Sequence, residues 1–170
     1  MRFFAILLAL LAATTSAHAQ SKQAAEKIGR INATEATSTC IGSTASPTCT
    51  TETLLACLAR AEAGLCGKLG VDPRAGGREP GPLEYVIDRI SVIRAEDITE
   101  DLRDIEWFKA GYTLVELRRR SCMPECSDEW EDMQVYLRPR GASWEIVNWR
   151  GDEQEDAPEV PENFKPAKPQ

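Results

Sequence analysis

The run Leu83-Glu84-Tyr85-Val86-Ile87-Asp88-Arg89-Ile90-Ser91-Val92-Ile93 decides the fold. Leu83, Val86, Ile87, Ile90 and Ile93 fit the period of a helix. Leu83, Tyr85 and Ile87, followed by Ile90 and Val92, fit the two-residue period of a strand with one change of phase. β-branched side chains crowd a helix and suit a pleated surface, and one residue inserted at a bulge moves the apolar phase by one. The run is therefore read as a bent β-strand.

Working outward, Tyr112 to Arg120, Met133 to Leu137 and Trp144 to Trp149 read as three further strands, the last two joined by a turn containing Pro139 and Gly141. A hairpin centred on Pro124 sets Arg120 against Asp128, Arg119 against Glu129, Val115 against Met133 and Thr113 against Val135, with the apolar set on one face. The basic triplet Arg118-Arg119-Arg120 then reads as the charged half of a solvated hairpin and not as an anion site. On the other side, Leu54, Leu58, Ala61 and Leu65 recur at helical spacing, with Thr50 and Thr51 as cap candidates and Glu52 in the first turn, which predicts a helix over Thr50 to Ala63. Val71 to Pro82 is rich in Gly and Pro and reads as loop. Ala95 to Glu106 reads as a charged loop with a short helical turn. Its acids (Asp97, Glu100, Asp101, Asp104, Glu106) lack the order of a calcium-binding loop and read as a solvated face. The expected fold is α+β, an N-terminal amphipathic helix on a curved antiparallel sheet of about four strands.

The cysteines are Cys40, Cys49, Cys57, Cys66, Cys122 and Cys126. No C-x2-C pair is present, which argues against structural zinc and against a dithiol oxidoreductase, and leaves disulfides as the reading. Cys49 and Cys57 on one helix lie about 12 Å apart, at 1.5 Å per residue, too far to bridge. Among the fifteen or so pairings that six cysteines allow, the three sequential ones are preferred. Cys57 with Cys66 requires the helix to break near Gly64 and the chain to fold back.

The N-terminus has the layout of a cleavable secretory signal: Arg2, an apolar run from Phe3 to Ala13, and Ala17-His18-Ala19 ahead of Gln20. The apolar run is shorter than the roughly 20 residues that span a bilayer. The expected organisation is a signal over 1–19, a flexible lead-in over 20–39, one disulfide-bonded domain over 40–150 and an acidic, Pro-rich disordered tail over 151–170. The expected location is the periplasm or the medium, with no membrane insertion after cleavage. His18 is the single histidine of the sequence, so the cleaved chain has none, and catalytic triads and imidazole metal sites are excluded. The formal charge of −7 becomes −8 when Arg2 is lost with the signal, a balance that argues against a nucleic-acid partner. No cofactor, metal or catalytic residue is assigned.

The closing segment Leu137-Arg-Pro-Arg-Gly-Ala-Ser-Trp144-Glu-Ile146-Val-Asn-Trp149 resembles the end of nuclear transport factor 2-like domains, cone-shaped (cystatin-like) α+β folds that finish with a strand, a Gly turn and W-x-I. The cysteines and the lone N-terminal helix depart from that pattern. The resemblance implies a cone in which Tyr85, Asp88, Tyr112, Glu116 and Tyr136 converge. Since the family hosts enzymes and binding proteins alike, it implies no single activity. The leading expectation is an exported, non-catalytic domain binding a protein or a small apolar ligand, with Tyr85, Trp107, Phe108, Tyr112 and Tyr136 as possible contacts. The alternatives are a small enzyme using carboxylate and tyrosine groups in the cone, and an inhibitor of a basic hydrolase such as a lysozyme.

Overall fold

The computed structural model describes residues 27–74 and 79–151. The expected signal at 1–19, residues 20–26 of the expected lead-in, and the expected tail from 152 onward lie outside the described residues. The elements are β1 (Gly29–Ile31), α1 (Pro47–Arg60), α2 (Ala63–Leu69), β2 (Leu83–Val92), β3 (Thr113–Ser121), β4 (Glu131–Arg140) and β5 (Ser143–Gly151). A 3-10 turn at Ala95–Asp97 lies between β2 and β3. The sheet is antiparallel throughout, in the order β1-β2-β3-β4-β5.

The α+β class is as expected, with two corrections. The sheet has five strands and not four, because Gly29–Ile31, inside the stretch read as a flexible lead-in, pairs with Leu83–Tyr85. The helix therefore follows a strand, and it is two helices. Helix α1 starts earlier than Thr50: Ser46 is its N-cap, accepting from the Cys49 amide at 3.1 Å, and Pro47 takes the first turn, where its missing N–H costs nothing. Thr50 and Thr51 are buried inside the helix. At its other end Ala61 turns left-handed (φ 48°), and α2 folds back so that Cys66 meets Cys57. All three sequential disulfides are present, Cys40–Cys49, Cys57–Cys66 and Cys122–Cys126.

In β2 the ladder to β3 shifts between Ile87 and Arg89, so a bulge is present within the expected change of phase and Asp88 is the bulged residue. The β3–β4 hairpin has the expected pairing at its tip, where Cys122 bridges Cys126, and departs from it along the strands. Arg119 faces Glu131 instead of Glu129, Val115 faces Val135, and Leu117 faces Met133. Asp128, Glu129 and Trp130 stand outside the ladder, and Trp130 lies under the guanidinium groups of Arg118 and Arg120, 5.8 and 4.6 Å from its ring centroid. The displacement is even in residue number, so the apolar side chains keep the expected face.

That face carries Leu83, Tyr85, Val115, Leu117, Met133, Val135 and Leu137 against Leu54, Leu55, Leu58 and Leu65 of the helices. The opposite face is covered at one end by the connection between β2 and β3. Ile93, Leu102 and Phe108 pack there with Leu114 and Tyr136 into a second core, flanked by Ile98, Ile105 and Trp107. The segment expected as solvated loop thus puts its acids outward and its apolar residues on the sheet. Among the described residues no helix is long and apolar enough to cross a membrane.

Candidate functional site

Strand β1 begins at Gly29, opposite Tyr85, whereas β2 continues to Val92. Among the described residues nothing pairs with the outer edge of β2 beyond Tyr85. Along that stretch Ile90 and Val92 point to the helix side of the sheet but beyond the cover of α1, and are 44% and 56% exposed. Where β1 begins, a cleft of about 490 Å3 opens between β1, β2 and α1, lined among others by Lys27, Gly29, Ser38, Glu52, Tyr85 and Asp88.

Glu52 is the centre of this cleft. It sits on the second turn of α1, half-buried, and each carboxylate oxygen is held by one hydroxyl. The Tyr85 hydroxyl donates to Oε1 at 2.7 Å and the Ser38 hydroxyl donates to Oε2. Burial, then the hydrogen bond to Glu52 and the Glu52 charge, push the Tyr85 phenol above its ordinary range, so it remains a donor at neutral pH. The ring of Tyr85 lies over Gly29: a Cβ there would stand 2.1 Å from Cζ, which makes glycine obligatory at that contact.

Five carboxylates on the sheet have arginine partners. Glu84 is paired with Arg30 and Arg120, Asp88 with Arg118, Glu116 with Arg89, Glu131 with Arg119 and Glu145 with Arg138. These pairs correct the hairpin reading of Arg118-Arg119-Arg120: Arg120 finds its acid at Glu84 of β2 and not at Asp128, Arg119 meets Glu131 and not Glu129, and Arg118 pairs with Asp88 of β2. Among the described residues Glu52 has neutral donors and no ion pair.

The residues expected to converge in a cone are separated. Tyr85 is on the helix side of the sheet, Asp88 is at the bulge, and Glu116 and Tyr136 are on the opposite side. Tyr136 and Phe108 are fully buried, which withdraws Phe108 as an exposed contact. Trp107 packs on Tyr136 with ring centroids 4.5 Å apart, and Tyr112 is half-buried beside the same core. Of the expected contacts Tyr85 alone lines the cleft, through its hydroxyl. Glu52 is the residue the sequence reading passed over as a first-turn helix acid. With the helix starting at Pro47, it lies between buried Thr51 and Thr53, on a flank turned toward the protein. No family model, no curated protein and no solved structure matches this chain.

Proposed function

We propose that this chain is an exported, non-catalytic interaction domain that pairs an extended segment of a partner protein along the outer edge of β2. The observation that carries the reading is that β1 begins only at Gly29, opposite Tyr85, so that among the described residues nothing pairs with the outer edge of Val86–Val92, where Ile90 and Val92 are exposed. An edge of this kind accepts a strand through main-chain hydrogen bonds, with alternate side chains supplying selectivity. The signal-like N-terminus and the three disulfides support export. The order of helices, long bent strand and closing meander supports the nuclear transport factor 2-like reading of the fold. The acidic charge of the chain favours a basic partner, and inhibition of a basic hydrolase is the special case in which the segment belongs to such an enzyme.

The test is selection of displayed random heptapeptides on the oxidised, secreted protein. The expected result is enrichment of sequences with alternating apolar residues, and at least a tenfold loss of binding in the double variant Ile90→Lys, Val92→Lys. Both positions are exposed, so the variant keeps its core. The absence of any enrichment, or equal binding by the double variant, would overturn the reading. So would binding that appears only after residues 20–26 are removed, since the edge would then belong to the chain itself.

A further inference from the structure

We propose that the cleft around Glu52 is a pocket for one basic side chain, an alkylammonium or alkylguanidinium group presented by a ligand. This deepens the interaction reading by naming the residue that the bound segment inserts where β1 begins.

Glu52 is half-buried, and both its oxygens are oriented by neutral hydroxyl donors, Tyr85 and Ser38, which steer the carboxylate without cancelling it. Five other carboxylates of the sheet region meet an arginine, while Glu52, among the described residues, meets none. A carboxylate accepts through about four lone-pair sites, and two hydroxyl bonds leave room for the N–H groups of a cation. Charge-assisted bonds of that kind are the strong ones, and partial burial reduces the screening they suffer in open water.

The volume of about 490 Å3 lies within the usual range for ligand sites and admits a four-carbon stem with its charged head. Val86, Ile87 and the glycine at position 29 offer apolar wall for the stem, and Thr37, Ser38 and Thr48 offer hydroxyl oxygens near the head. The same cleft opens onto the part of β2 at Val86–Asp88 that no described residue pairs on its outer side, so a residue of a strand laid on that edge reaches it without a second binding surface. Lys27 also lines the cleft, and its positive charge opposes an incoming cation. Asp88 is occupied by Arg118 at 2.8 Å and adds background negative potential without serving as the anchor.

The experiment is a titration of the full secreted chain followed by the amide shifts of Ser38, Glu52 and Tyr85. The probes are n-butylammonium and n-propylguanidinium, with n-butanol as the neutral isostere and sodium chloride as the ionic control. The expected result is a saturable shift with one or both cations and none with butanol or sodium chloride. Glu52→Gln, which keeps the size of the side chain, loses the saturable shift while its melting transition stays cooperative, and Lys27→Ala tightens binding by about threefold. Cations that behave as sodium chloride does, or a Glu52→Gln protein that titrates like the parent, would overturn the proposal. The Ile90→Lys, Val92→Lys variant separates this pocket from the interaction reading. If it titrates normally while no peptide binds the parent, the pocket stands and strand addition fails.

Discussion

Glu84 shows how one side chain can tie three strands. It is 3% exposed on β2, with Arg120 of β3 donating to Oε2 at 2.7 and 3.0 Å and Arg30 of β1 at 2.5 Å from Oε1. The Arg120 hydrogen bonds lower its pKa, burial opposes them, and the Arg30 and Arg120 charges add to the lowering. A carboxyl depressed in the folded state binds fewer protons than in the unfolded chain. Its stabilising contribution is complete above the ordinary value of 4.5 and is lost as the pH falls through the depressed one. The melting temperature of the parent is therefore expected to fall more steeply below that value than that of Glu84→Gln, measured by circular dichroism across the acid range. Parallel curves would show that the group does not couple to folding. Arg120→Ala leaves the buried carboxylate without its main donor and is expected to cost roughly 1–3 kcal/mol in a urea titration. The Glu84 contact could not be read from the triplet Arg118-Arg119-Arg120, because the acids that Arg118 and Arg120 meet lie some thirty residues away, on β2.

At the scale of elements, the preferred pairing of Cys57 with Cys66 calls for a break near Gly64, and the structure places it at Ala61. Leu54, Leu58, Ala61 and Leu65 keep a helical period straight through it, and a period carries no signal for a left-handed Ala61. The Cys57–Cys66 bridge holds the fold-back, closing a sequence separation of nine residues. In the chain-entropy account its removal by the double variant Cys57→Ala, Cys66→Ala costs about 2.7 kcal/mol, readable as a lowered denaturant midpoint. An unchanged midpoint would assign the fold-back to packing of Leu65 and Leu69 alone. The start of α1, in contrast, is written in Ser46-Pro47, a cap and first-turn pair that the threonines after it obscure. The hairpin divides in the same way. The charge pattern and the Cys122–Cys126 closure fix which strands meet, while the displacement along β4 accompanies the seating of Trp130 under two guanidinium groups, a contact made only in three dimensions.

Across the whole molecule the sheet separates two cores, the larger under the helices and the smaller under the β2–β3 connection. Phe108, fully buried in the smaller one, is expected to cost about 3–5 kcal/mol on change to Ala. A loss below about 1 kcal/mol in the same urea assay would show that the connection is only loosely attached. The residues alone carried the α+β class, a bulge between Ile87 and Ile90, the order of the last four strands and a preference for the sequential disulfides. Each is local, resting on a period of two or 3.6, a change of phase, or the short reach of a cysteine. Only the tertiary structure decided that Gly29–Ile31 joins the sheet, that Ile98, Leu102 and Ile105 build a second core, and that Glu52 meets Tyr85 beside an open edge. Those outcomes depend on which distant surfaces remain to be covered once the strong elements have formed, a property of the folded packing and not of any window of residues.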